Sequence, residues 1–208
     1  MRSAVVVAGG RSTRFGGSDK AVATLAGTPM IRRVADRLVE TVDEVVVNCR
    51  PDQTPAIREA MDGYPLPVAY GEDDVPDLGP VGGIRNGLRE ASGEYAAVVA
   101  CDMPFVEAAL IDHLFDRADG ADGAVPRLAS GWFQTTQAVY RTEAMVEACD
   151  VALEEENPRI LRPIEELGDI VVVEEDEVES VASTDSFENI NTREEFAAAE
   201  ERFQGRDG

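Results

Sequence analysis

Ser3-Ala4-Val5-Val6-Val7-Ala8, followed at once by Gly9-Gly10-Arg11-Ser12-Thr13-Arg14-Phe15-Gly16-Gly17-Ser18-Asp19-Lys20, decides the fold. A short β-branched run with no in/out alternation predicts a strand buried on both faces, as in parallel sheets. The glycine-rich segment then falls at the carboxyl end of that strand, where α/β folds bind their ligands. Glycines there let the backbone approach a ligand and turn its N–H groups toward phosphate oxygens. Arg11, Arg14 and Lys20 add positive charge. A flexible Gly/Ser connection is the plain alternative, and the lysine argues against it. Of 19 basic residues, Lys20 is the only lysine. A compact ammonium is a natural point-charge contact for phosphate, where arginine's planar fork fits differently.

Outward from this stretch, strands and helices are predicted in alternation. Strands are expected over Glu44–Asn48, Pro67–Tyr70 and Tyr95–Cys101, the last being the most uniformly apolar and so central. Helices are expected over Pro29–Glu40, Gln53–Met61, Pro80–Ala91 and Glu107–Arg117, with a turn-rich break at Gly120–Gly123. This βαβα order predicts an α/β fold with a mainly parallel sheet and helices on both faces. Further on, Trp132–Tyr140 and Asp169–Val173 read as strands, and Glu143–Glu155, Arg159–Leu167 and Thr192–Phe203 as helices. Glu174–Glu179 reads as a solvated edge or turn. Neither repeat nor linker interrupts the chain, so one domain is expected over 1–208, with the regular βαβα part in residues 1–125 and a less regular part in 126–208.

The 208 residues are 44% hydrophobic, enough for a core, and carry a net charge of −22. Such a chain should repel nucleic acid and anionic membrane. Acidic excess with almost no lysine resembles proteins of salt-loving organisms. Ala4–Ala8 is too short for a signal-peptide core, and no run approaches the roughly 20 apolar residues of a membrane span. Cys49, Cys101 and Cys149 are far apart and form no C-x-x-C pair, so a reducing, cytoplasmic setting is expected rather than disulfides or zinc. His113 lies in a helically patterned segment (ALIDHLF) and reads as a surface or half-buried side chain, not a catalytic base. Without G-x-S-x-G, serine hydrolysis is not indicated.

Two familiar phosphate motifs are absent. Walker A needs glycine directly before its lysine, but Ser18-Asp19 separates Gly17 from Lys20. The spacing of Gly9-Gly10 and Gly16-Gly17 does not fit G-x-G-x-x-G either. Three other segments could carry chemistry. Asp102, in Cys101-Asp102-Met103-Pro104-Phe105, is placed to hold Mg²⁺ on phosphates or to cap the following helix. Gly79-Pro80-Val81-Gly82-Gly83-Ile84 opens a helix, either admitting a base or sugar or allowing tight helix–sheet packing. Asn189 and Asn191 alternate along one extended face, while Thr192 and Glu195 have capping-box spacing.

Taken in order, AGGRSTRFGGSDK, GPVGGI, CDMPF and NINT resemble the molybdenum cofactor guanylyltransferase family, within the MobA-like nucleotidyltransferases. The resemblance implies a Rossmann-like three-layer nucleotide-diphosphosugar transferase fold. It implies Mg²⁺-dependent transfer of GMP from GTP to the phosphate of molybdopterin, with release of pyrophosphate. Carried over by motif, Ala8, Gly9, Gly10 and Asn48 would contact the nucleotide, as would Gly79 and Gly82 of the helix-opening segment. Lys20, with Arg11 and Arg14, would contact phosphates, Asp102 would bind Mg²⁺, and Asn189 and Asn191 would serve the pterin or metal side. Asp73 matches a guanosine-side aspartate, in a run Glu72-Asp73-Asp74 whose register is open. Partners implied are GTP, molybdopterin and transient contacts with molybdoenzymes or other cofactor-biosynthesis proteins. Phe15 replaces a frequent methionine, and Gln134-Thr135 stands where Gln-Pro or His-Pro is usual. Rival readings are guanylyl transfer to adenosylcobinamide phosphate, sugar-1-phosphate nucleotidyl transfer, and a catalytically silent nucleotide-binding adaptor.

Overall fold

The valine run forms β1 (Arg2–Val7), and its side chains enter two different cores. Ala4 and Val6 pack with Ile31, Val45 and Leu110 on one side, while Val5 packs with Val46, Ile84 and Leu88 on the other. Burial on both faces removes the need for alternation. A computed structural model describes residues 1–10, 19–73, 75, 78–156 and 158–205. After β1 come a short hairpin, β2 (Thr24–Leu25) and β3 (Thr28–Pro29), then α1 (Met30–Asp36), β4 (Glu44–Cys49), α2 (Thr54–Ala60) and β5 (Val68–Glu72). Next are α3 (Gly79–Arg89), β6 (Tyr95–Ala100), α4 (Ala108–Ala118), β7 (Gly123–Arg127) and β8 (Gln137–Arg141). The chain continues with α5 (Thr142–Ala152), α6 (Arg162–Glu166), β9 (Ile170–Glu174), α7 (Glu175–Glu179) and α8 (Arg193–Gln204).

Seven strands form one sheet in the order β5-β4-β1-β6-β8-β7-β9, with β6 fourth of the seven, as its apolar sequence predicted. β5, β4, β1 and β6 run parallel; β8 runs antiparallel to both of its neighbours, and β7 and β9 are parallel. Register brings Val7 opposite both Asn48 and Ala100, and Asn48 opposite Gly71, so four strands end side by side. The ladders extend slightly further: Ala8 N–H donates to Asn48 O (2.9 Å), and Cys101 N–H to Val7 O (3.0 Å). A third cluster joins Leu25 and Met30 to Phe105, Ile190 and Phe203, with the two phenylalanine rings stacked at 5.0 Å. It fastens the last helix beside the CDMPF segment.

Four expectations need correction. Gly123 does not end a break but begins β7, whose glycine and Pro126 hide its strand character. The strand expected from Trp132 is confined to Gln137–Arg141, with a single bridge at Phe133 before it. The acidic run is a helix, Glu175–Glu179, anchored by the fully buried Val178. The helix expected from Arg159 starts at Arg162, with Pro163 in its first turn. No helix among the described residues is long and apolar enough to cross a membrane.

Candidate active site

A cavity of about 610 Å³ sits over the carboxyl ends of β1, β4 and β6. Ala8, Gly9 and Gly10 reach it from β1, Asn48 and Arg50 from the end of β4, and Asp73 from the residue after β5. The amino end of α3 contributes Gly79, Pro80 and Gly83, and the chain beyond β6 contributes Cys101 and Asp102. Lys20, Asn189 and Asn191 complete the opposite wall. Arg11, Arg14 and Asp74 lie outside the described residues.

On the first wall, the fully buried Asn48 donates from Nδ2 to Asp73 Oδ1 (2.7 Å) and to Gly71 O (3.0 Å). Its Oδ1 is buried and has no protein partner among the described residues. Asp73 thereby faces the cavity, whereas Glu72 accepts from Thr54 Oγ1 at 2.8 Å on the other side of the strand. This separates Asp73 from Glu72, two of the three consecutive carboxylates whose register the sequence left open; Asp74 is the third. The glycines of α3 divide their work. Gly79 adopts φ +69°, a left-handed conformation that favours glycine. A Cβ on Gly83 would stand 2.5 Å from Asn48 Oδ1, so tight packing and cavity lining coincide there. Gly82 is not among the lining residues; it faces Leu78, where a Cβ would clash at 2.4 Å.

On the second wall, Lys20 is only 9% exposed. Its Nζ donates to Asp102 Oδ2 (2.8 Å), Ile190 O (2.8 Å) and Asn191 Oδ1 (3.2 Å). Ile190 N–H donates in turn to the backbone oxygen of Asp102 at 2.9 Å, closing a ring through three distant parts of the chain. Asp102 is not a helix cap: Glu107 holds the N-cap position of α4, without a side-chain capping bond. Thr192 and Glu195 do form a capping box on α8. Glu195 also accepts from the backbone N–H of Asn191 (2.6 Å) and of Thr192 (2.9 Å), and these donors hold its carboxyl below the usual carboxylate range. The NINT segment is therefore a helix cap whose asparagines border the cavity. Ahead of Lys20, Asp19 caps a single turn over Lys20–Val22 and accepts from Gln53 Nε2 at 2.8 Å.

A family model for the MobA-like NTP transferase domain matches residues 4–183. The chain belongs to this family. A relative described as "probable molybdenum cofactor guanylyltransferase", from Natronomonas pharaonis, is 47% identical over 97% of this chain and 98% of its own. Another of the same description, from Haloferax mediterranei, is 38% identical over 97% and 94%. In three dimensions the chain resembles the molybdopterin-guanine dinucleotide biosynthesis protein A of Archaeoglobus fulgidus. That match has a TM-score of 0.79 at 25% identity, covering 99% of this chain and 100% of that one. The salt-adapted look of the composition agrees with relatives among halophilic archaea.

In this MobA-like chain the donor set beside Lys20 suits a hard cation. Asp102 offers one carboxylate with the amide groups of Asn189 and Asn191 on the same cavity, and Mg²⁺ is commonly held by one or two carboxylates plus substrate oxygens. Burial pushes the neighbouring Cys101 thiol up, which favours its protonated form. No group of three His, Cys, Asp or Glu that could hold a metal ion by itself occurs among the described residues. His113 pairs with Glu177 at 2.8 Å on α4 and does not line the cavity. Arg50, Thr136 and Ile160 line the cavity but were not candidates from sequence, and Gly83, named only within the helix-opening segment, takes the place expected of Gly82. Arg50 carried a usable signal, a cation just beyond a strand end; Ile160 carried none.

Proposed function

We propose that this chain transfers GMP from GTP to the phosphate of molybdopterin, releasing pyrophosphate, with Mg²⁺ as cofactor. The observation that carries the chemistry is the seating of the only lysine on the aspartate that follows the central strand. The relatives' description supplies the substrates. An acceptor phosphate oxygen attacks the α-phosphorus of GTP, its bond to the bridging oxygen breaks, and pyrophosphate departs. A phosphate monoester is already anionic at neutral pH, so no general base is needed, in keeping with a cavity whose described lining contains no histidine. Catalysis is then positioning and charge neutralisation. Lys20, with Arg11 and Arg14, meets the phosphates that leave. Ala8, Gly9, Gly10, Asn48 and Asp73 hold the nucleoside end, beside Gly79 and Gly83 of α3. Asn189 and Asn191 orient the acceptor. Asp102 would hold Mg²⁺, which when bound neutralises phosphate oxygens and raises the electrophilicity of phosphorus.

Pyrophosphate release at high KCl with Mg²⁺, using each nucleoside triphosphate with and without molybdopterin, tests the reading. Release is expected with GTP and only when molybdopterin is present. Release with CTP but not GTP would overturn the base, and release with a sugar phosphate instead would overturn the acceptor. A further expected result concerns Gly83→Ala. Its new methyl must push Asn48 off Asp73, so GTP binding should weaken about tenfold, the scale of one lost hydrogen bond to a charged group. Calorimetric titration measures this, and unchanged affinity would remove the Asn48–Asp73 pair from the nucleotide site.

A further inference from the structure

Arg50 stands one residue past the end of β4, two beyond Asn48. Its Nη1 donates to two consecutive carbonyls of the glycine turn, Gly9 O at 2.9 Å and Gly10 O at 2.8 Å. Asp52 fixes the same guanidinium from another edge, with Nε to Oδ1 at 3.1 Å and Nη2 to Oδ2 at 3.3 Å. The Arg50 side chain is 22% exposed and lines the cavity.

Two carbonyls turned to one cation define where the amides go. A trans peptide points its N–H opposite its C=O, so the Gly10 N–H, which shares a peptide with Gly9 O, faces away from Arg50. Among the described residues no acceptor takes the N–H of Gly9 or of Gly10. Space is open at Gly10, where an added Cβ would meet nothing within 4 Å. Glycines do not restrict their own φ and ψ, so a pair of them holds one turn only if something outside clamps it. A planar fork anchored along a second edge does this; a flexible ammonium does not.

We infer that Arg50 is a positioning residue for the nucleotide, clamping Gly9 O and Gly10 O so that the Gly10 amide stays turned to the ligand and the two carbonyl dipoles are neutralised beside a polyanion, while Gln53 Nε2 holds the preceding carbonyl, Ala8 O, at 3.2 Å. Because Asp52 offsets its charge, Arg50 acts through the geometry of the turn more than through long-range attraction. The inference rests on the guanylyl-transfer reading.

Calorimetric binding of GTP and, separately, of molybdopterin at high KCl tests it, alongside thermal denaturation and turnover. Arg50→Ala is expected to bind GTP about tenfold more weakly, as for loss of charge-assisted hydrogen bonds, with molybdopterin affinity unchanged. If Arg50→Ala does not fold, Asp52→Asn frees one edge of the guanidinium and should weaken GTP alone by about threefold, the scale of an exposed pair. Unchanged GTP affinity overturns the inference. Equal weakening of both ligands also overturns it, because general loss of cavity shape produces that pattern. A wild-type protein that binds GTP but transfers nothing would count against the function, while the Arg50 comparison would still decide the inference.

Discussion

Lys20→Ala is expected to slow pyrophosphate release by about 100- to 1,000-fold, the scale for removing one preorganised donor from a developing charge. The ammonium has three protons and meets a carboxylate, a backbone carbonyl and a side-chain amide oxygen within 2.8–3.2 Å. It is therefore held in place before any ligand arrives and need not be ordered during the reaction. Lys20→Arg should not restore the rate, because the seat fits a point charge and the guanidinium is a larger planar fork. Alanine also leaves the partly buried Asp102 carboxylate without its cation, at a cost of about 1–2 kcal/mol given its residual exposure. Turnover must accordingly be scaled to the folded fraction measured by thermal denaturation. Near-normal release per folded molecule would sink the assignment of Lys20 to the leaving phosphates.

The parallel half of the fold was legible because burial on both faces leaves a simple trace. The runs at Val5, Val45 and Val98 have no polar alternation, and each packs into two cores. β7 was not legible, since Gly123 and Pro126 belong to turn chemistry and the strand is stabilised by pairing with β9 along its whole length. The carboxyl-end rule located Lys20, Asp102 and the glycine turn, and motif order added Asn48, Asp73 and the asparagines. Which carboxylate of Glu72-Asp73 faces the cavity depends on strand register, which adjacent acidic residues do not encode. Gly82 and Gly83 show the same limit: helical phase, set by packing against Leu78 and Asn48, decides which one reaches the cavity.

The charge of −22 poses a difficulty for an enzyme of two anionic substrates, and the ion pairs show how it is met locally. Several arginines are committed to carboxylates far from the cavity: Arg2 to Asp112 and Asp116, Arg127 to Glu174, Arg162 to Glu166. Arg50 pairs with Asp52 and serves the turn, and Lys20 serves the ring on Asp102. At 1 M salt the Debye length falls to about 3 Å, so the general acidic field does not reach across the cavity while contact distances still count. Binding then depends on donors already in place, which is what both walls provide.

Asp102→Asn separates the two things Asp102 could do. Asparagine keeps the size and an oxygen for Lys20 Nζ, and the backbone oxygen that accepts from Ile190 N–H is unaffected. The ring through Lys20, Ile190 and residue 102 should survive, and the thermal midpoint should change little. What disappears is the carboxylate charge that would hold Mg²⁺. Pyrophosphate release is expected to fall at least about 100-fold at low Mg²⁺ and to recover only in part as Mg²⁺ is raised. If Asp102 merely anchored Lys20, the asparagine variant would keep most of its activity at every Mg²⁺ concentration, and the metal assignment would fall. Combining Asp102→Asn with Lys20→Ala sharpens the comparison. Groups that act on the same phosphates as a unit are non-additive, so the double variant should be little slower than the worse single one. Two full, multiplying losses would mean that the 2.8 Å contact between them joins groups with separate tasks.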